Sequence, residues 1–334
     1  TALTSVTTDV GGSVAINGGV VNTTGAQIYG EAATLGAATT LTSTGSGAIT
    51  FGNTLNGAQT LAVNTSGVTT FTGAVGDSMA LTSLTTDAGT AGSVAINGGV
   101  VNTTGAQIYG EAATLGAATT LTSTGSGAIT FGNTLNGAQT LAINTSGVTT
   151  FTGAVGNTTA LSSITTDAGG SVAINGGVVN TTGAQIYGEA ATLGVATTLT
   201  STGSGAITFG NTLNGEQTLV INTSGVTTFT GAVGDSTALT SLTTDAGTAG
   251  SVAINGGVVN TTGAQIYGEA ATLGAATTLT STGSGAITFG NTLNGAQTLA
   301  INTSGGTTFT GAVGNTTALT SVTTDVGGSV AING

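Results

Sequence analysis

Among its 334 residues the chain has no lysine, arginine, histidine, cysteine, proline or tryptophan. Each absence removes a class of chemistry. Nucleic acid is held by lysine and arginine neutralising phosphates, and a net charge of −12 with no cation repels it instead. No histidine or lysine is present to activate a serine or threonine, and an acid-based polysaccharide lyase or hydrolase would have no basic partner, so the chain reads as no enzyme. Zinc lacks its usual sulfur and imidazole ligands, and no GxxxxGK[ST] loop cradles a phosphate, so no cofactor is expected. Without disulfides, stability rests on packing and hydrogen bonds. No apolar run approaches the roughly 20 residues of a membrane-spanning helix.

What is present is repetition. The stretch TALTSVTTDVGGSVAING occupies residues 1–18 and recurs unchanged at 317–334. The unit restarts at Ala2, Ala80, Ala160, Ala238 and Ala318, at offsets of 78, 80, 78 and 80 residues. Two residues are inserted in alternate units, at Asp87–Ser93 and Asp245–Ser251 against the shorter Asp9–Ser13, Asp167–Ser171 and Asp325–Ser329, and Asp77 and Asp235 alternate with Asn157 and Asn315. The true period is therefore a pair of 158 residues. One domain over 1–334 is expected, with repeats 2–79, 80–159, 160–237 and 238–317 and a partial repeat 318–334.

Sixty glycines and few charges would suit disorder, but 38% hydrophobic residues and a mean hydropathy of +0.40 favour an ordered chain. The local pattern is that of strands. Val14 and Ile16 flank Ala15, Ile49 and Phe51 flank Thr50, and Leu61 and Val63 flank Ala62, while Asn17-Gly18, Ser46-Gly47, Asn56-Gly57 and Ser66-Gly67 supply turns. Leu35, Leu55 and Val75 keep a step of 20, as do Leu41, Leu61 and Leu81, and Phe51 and Phe71. The spacing predicts an all-β parallel β-solenoid of about 20 residues per coil and about four coils per repeat, with strands stacked about 4.8 Å apart. Thr40 is then expected over Thr60 and Thr50 over Thr70. A coil cannot bury its apolar face alone, so stability is cooperative along the stack.

Residues 47–76, GAITFGNTLNGAQTLAVNTSGVTTFTGAVG, followed by ALTSLTTDAG, resemble the β-strand repeats of very large bacterial exoproteins of the filamentous-haemagglutinin-like adhesin type. The resemblance covers essentially the whole chain. It implies a secreted right-handed parallel β-helix at the bacterial surface, serving as an extracellular fibre or adhesin stalk that meets a receptor through other domains. The repeat that closes on itself at 317–334 leads us to expect a segment of a longer continuous polymer, whose partners are its own axial continuation and lateral neighbours.

Few residues suggest a site. Asp9 and Glu31 lie 22 residues apart and Asp87 and Glu111 lie 24 apart, each close to one coil length, so adjacent coils could bring them together around Ca²⁺. Calcium takes roughly six to eight oxygens and no GGxGxD motif accompanies these pairs, so the expected metal is none, and the acids are expected as solvated corner residues spread once per repeat. Glu216 replaces an alanine found in the other copies and is expected to be exposed. Tyr29, Tyr109, Tyr187 and Tyr267 suggest packed structural aromatics ahead of a sugar-stacking row. Two alternatives to the fibre are an ice-binding surface built on Thr-x-Thr ranks such as Thr40-Leu41-Thr42, which Ala62 and Ala80 interrupt, and a carbohydrate-binding solenoid surface. Sequons such as Asn22-Thr23-Thr24, Asn64-Thr65-Ser66 and Asn157-Thr158-Thr159 follow from the abundance of Asn and Thr.

Overall fold

The first repeat alternates inward and outward side chains in short runs separated by glycine, and each run is a strand. In the computed structural model, which describes residues 3–87, 91–245 and 249–334, these are β1 (Val6–Thr7), β2 (Ser13–Ile16), β3 (Val20–Thr23), β4 (Gln27–Tyr29), β5 (Ala32–Leu35), β6 (Thr39–Ser43), β7 (Ile49–Phe51), β8 (Leu55–Asn56), β9 (Thr60–Thr65) and β10 (Val68–Phe71). The same ten recur in each later full repeat. Among the described residues there is no helix, and every strand pair is parallel, so the chain is an all-β solenoid of about 15 turns about 22 residues apart.

The chain divides into two compact units, Thr1–Ser162 with Gly169–Ser171, and Ser163–Ala168 with Val172–Gly334. The first unit has three faces. One carries β1, β4, β7 and β10, then Ser93–Ile96, Ala112–Leu115 and Leu135–Asn136. The second carries β2, β5 and β8, then Val75, which bridges Leu55 to Val101 and so joins Val100–Thr103, Thr119–Ser123 and Thr140–Thr145. The third carries β3, β6 and β9, then Ser83–Thr86, Gln107–Tyr109, Ile129–Phe131 and Val148–Phe151. The second unit has the same design, with Gln185–Tyr187 and Gln265–Tyr267 in different sheets.

The uniform 20-residue coil is corrected by these registers. Thr69 pairs with Ile49 and Leu55 with Val75, at steps of 20, but Gln27 pairs with Ile49 and Thr39 with Leu61 at 22, Leu61 with Leu84 at 23, Val68 with Ser93 at 25, and Ser93 with Ala112 at 19. Leu55 therefore sits on Ala33 rather than Leu35, and Thr40 sits on Ala62 rather than Thr60, whereas Phe51 on Phe71 and Thr50 on Thr70 hold. Corner length is the cause. The chain takes residues 44–48 to pass from β6 to β7 but only Ser66 and Gly67 to pass from β9 to β10.

Ten strands and the bridged position around Val75 and Leu81 make eleven strand positions per repeat. Eleven positions over three faces are 3⅔ turns rather than four. Each repeat within a unit is consequently displaced by one face from the one before: Gln27–Tyr29 lies on the first face and Gln107–Tyr109 on the third. The two-residue insertion leaves the pairing of the flanking strands unchanged in kind. Leu84 pairs with Gln107 at a step of 23 where the shorter repeat pairs Ile164 with Gln185 at 21, and the same residue types meet in both. Part of that insertion, residues 88–90 and 246–248, lies outside the described residues.

Aliphatic rows fill the interior, and aromatic stacks run through it. Tyr29, Phe51 and Phe71 stack with centroid separations of 5.1 and 5.6 Å and interplanar angles of 16° and 6°, and the three other repeats repeat the trio. Near-parallel rings at these separations match the offset-stacked arrangement that aromatic pairs favour. The strands set it up by placing Tyr29, Phe51 and Phe71 in register one coil apart.

A column of small hydroxyl residues ties the corners down. Thr23, Ser43 and Thr65 are successive in register and buried. Thr23 Oγ1 donates to the Gly25 carbonyl at 2.6 Å, Ser43 Oγ to the same carbonyl at 2.8 Å, and Thr65 Oγ1 to the Gly47 carbonyl at 2.7 Å. At the β6–β7 corner Ser46 takes the left-handed conformation with φ of 62°, and its Oγ meets Ser66 Oγ at 2.6 Å. The glycine that follows answers a different need: a Cβ on Gly47 would run into the Gly25 backbone of the coil beneath.

Candidate functional site

Beyond the hydroxyl residues, each repeat places two longer polar side chains, a glutamine and a glutamate, in or at the edge of this interior. The first is a glutamine that pattern reading passed over. Gln-Ile-Tyr invites an inward isoleucine, but Ile28 is 40% exposed while Gln27 and Tyr29 point inward at 0% and 2%. Burial is possible because the amide is saturated. Gln27 Nε2 donates to the Val21 carbonyl (3.1 Å), Thr23 Oγ1 (3.2 Å) and the Thr42 carbonyl (3.0 Å), and its Oε1 accepts from the Tyr29 hydroxyl (2.9 Å). The set recurs around Gln107, Gln185 and Gln265. Burial pushes the Tyr29 phenol up to about 12, and those of Tyr109, Tyr187 and Tyr267 further. These tyrosines are packed structural aromatics and offer no ring face to a sugar.

The second, the glutamate, lies two residues further on, at the corner after the tyrosine. Thr86 pairs with Tyr109, so Asp87 of one coil and Glu111 of the next flank the same corner, and Thr166–Tyr187 and Thr244–Tyr267 set the same arrangement for Asp167 with Glu189 and Asp245 with Glu269. Asp9 and Glu31 form the first copy, with their carboxyls in hydrogen-bonding reach. The spacing argument for pairing thus holds for both candidate pairs.

The expectation of solvated acids does not hold. Glu111, Glu189 and Glu269 are each 1% exposed, their paired aspartates are half-buried, and only Asp9 of the eight is open to solvent, with Glu31 half-buried. The glutamate sits at the bend between the strand that ends at Tyr109 and the one that starts at Ala112, with Gly110 before it. Isolation once per repeat fails as well, since each glutamate faces an aspartate one coil away and successive pairs within a unit lie on different faces. Burial pushes the Glu189 carboxyl up to about 7, against the nearby Thr166 and with a smaller upward push from Asp167. Glu31, Glu111 and Glu269 are raised for the same leading reason. No carboxylate oxygen of Glu111, Glu189 or Glu269 makes a hydrogen bond of good geometry, nor do the buried hydroxyls of Thr86 and Thr244; the nearest donors, the Thr86, Thr166 and Thr244 hydroxyls and each glutamate's own amide, only partly offset the rise. Among the described residues no group of three or more acids assembles. Glu216, Asp77 and Asp235 are exposed, as a solvated role requires.

Chemically, a paired carboxyl corner of this kind can hold a proton or a cation. No basic residue stands beside it, because the chain contains none. The outer threonines form no unbroken Thr-x-Thr plane: Thr40 and Thr42 are followed in register by Ala62 and Asn64. No protein-family model matches the chain, and comparisons with curated proteins and with solved structures return no match.

Proposed function

We propose that the chain is a length-building segment of an extracellular fibre or adhesin stalk at a bacterial surface, working as structure rather than as an enzyme. One observation carries the reading: strand registers recur from repeat to repeat within each unit, so every coil completes the core of its neighbour and a repeat can be added without designing a new interface. The resemblance of residues 47–76 to filamentous-haemagglutinin-like repeats supports the same reading and supplies the secreted, surface-bound setting. Receptor contact is then the work of other parts of such a protein, and axial continuation and lateral bundling are the self-contacts.

Electron microscopy of chains carrying two, three and four repeats tests the proposal. Each repeat of 3⅔ turns should add about 18 Å at the parallel-strand spacing, and antibody raised against the chain should label intact cells. Particles whose length does not grow with repeat number, or antigen confined to the cell interior, would overturn it.

A further inference from the structure

A carboxylate withdrawn from water keeps its charge only beside a compensating positive charge or a full set of donors. Glu111, Glu189 and Glu269 have neither, for none of their six carboxylate oxygens makes a hydrogen bond of good geometry, the only donors close by are one threonine hydroxyl and the residue's own amide, and the facing group is another acid. The chain contains no basic residue at all, so any neutralising charge comes from solution. Thr86 and Thr244 indicate its kind. Both residues are 0% exposed, and their hydroxyls make no hydrogen bond of good geometry and lie beside the carboxyls of Glu111 and Glu269. A bidentate glutamate, the facing aspartate and a threonine hydroxyl supply about four hard oxygens, and water reaching the half-buried aspartate completes the roughly six to eight that calcium takes.

We propose that each buried corner pair, Asp87 with Glu111, Asp167 with Glu189 and Asp245 with Glu269, binds one hard divalent cation of the Ca²⁺ class. Magnesium is the poorer fit, since it demands a near-ideal octahedron and sheds water reluctantly. The copies are ranked by their threonines. Thr166 Oγ1 accepts from the Gly188 amide at 3.2 Å and Thr8 Oγ1 from the Gly30 amide at 3.0 Å, so these hydroxyls are engaged, and the Asp9–Glu31 corner is also the most open. The Asp87–Glu111 and Asp245–Glu269 sites are therefore the tightest and Asp167–Glu189 is weaker, while the open Asp9–Glu31 corner is left out of the set.

The tyrosines provide the probe. Tyr109, Tyr187 and Tyr267 stand two residues before the three glutamates, so Tb³⁺ bound at the corners is sensitised by tyrosine excitation. The chelator-treated full chain should show saturable Tb³⁺ luminescence at three ions per chain, displaced by Ca²⁺ and poorly by Mg²⁺. Glu111→Gln, Glu189→Gln and Glu269→Gln should each remove one ion, Thr86→Val and Thr244→Val should weaken Ca²⁺ at their own sites severalfold, and Glu216→Gln should change nothing. Glutamine is isosteric and removes a buried charge, so these variants keep the fold, which far-UV circular dichroism verifies. Absence of saturable luminescence, or an equal loss in Glu216→Gln, would overturn the proposal.

Discussion

The buried glutamine of each repeat lends itself to a double-mutant cycle. In Gln185→Leu the amide is lost, the fully buried Tyr187 hydroxyl loses its acceptor (3.0 Å), and the Val179 and Thr200 carbonyls lose donors (3.1 and 2.9 Å). Thr181 Oγ1 is not stranded, because it still donates to the Gly183 carbonyl at 2.6 Å. An orphaned buried hydroxyl costs about 1–3 kcal/mol, and with the lost carbonyl contacts the substitution should cost about 3 kcal/mol. Tyr187→Phe keeps the ring stack on Phe209 and strands only the Gln185 oxygen, so about 1 kcal/mol is expected. Once the glutamine is gone, however, removing the tyrosine hydroxyl removes an unpaired group. The double variant should therefore be no less stable than Gln185→Leu alone, a coupling of about 1–2 kcal/mol. Guanidinium unfolding of the four chains by far-UV circular dichroism measures it. Additivity within about 0.5 kcal/mol would refute the claim that the pair acts as a unit.

Further outcomes follow from single positions. Thr227 faces inward between Ile207 and Val252 with a buried, unpartnered hydroxyl, so the near-isosteric Thr227→Val should stabilise by about 1–2 kcal/mol, measured as a raised unfolding midpoint. Gly205→Ala should destabilise by about 1–3 kcal/mol or shift the corner register, because its Cβ would meet the Gly183 backbone of the coil beneath; an unchanged midpoint would show that the corner yields freely. The Glu189 carboxyl, raised to about 7, contributes stability that is full below its unfolded value near 4.5 and is lost as pH rises through about 7. In chelator the chain should thus be easier to unfold at pH 8 than at pH 5, and Glu189→Gln should flatten that dependence. At alkaline pH the raised Tyr29 phenol acts in the same sense: its contribution is complete below about 10 and lost through about 12, so tyrosinate absorbance should rise together with loss of the β signal.

The strands, their parallel stacking and the pairing of aspartate with glutamate were legible because each leaves a local mark: alternation, glycine-bounded runs, and acids separated by about one coil. The coil length was not. A step of 20 aligns Leu35 with Leu55 and Leu41 with Leu61, but the rows admit small and polar members, so Ala33 lies under Leu55 and Thr39 under Leu61. Matching like with like misleads wherever the interior takes alanine, threonine and serine. Gln27 escaped notice for a related reason: only the neighbouring Thr23 hydroxyl and two carbonyls, brought in by other strands, make an inward amide affordable. The Tyr29, Phe51 and Phe71 alignment was the signal that could have placed Gln27 inside, since strand alternation puts the residue two before an inward tyrosine on the same side.

The mismatch between eleven strand positions and three faces bears on what such a chain can recognise. Were the repeat a whole number of turns, every copy of a side chain would fall on one face, and a repeated residue would become a stripe suited to a flat lattice such as ice. At 3⅔ turns, each repeat within a unit moves its features to another face: Glu31 and Glu111 leave different sheets, as do Glu189 and Glu269. Ser46 and Ser126 likewise meet their partners Ser66 and Ser146 at different corners. Near-identical repeats thus distribute each chemical feature around the solenoid instead of along one side. That arrangement weakens a planar binding surface within each unit, which suits the proposed stalk, a role that calls for lengthening without acquiring a sticky side.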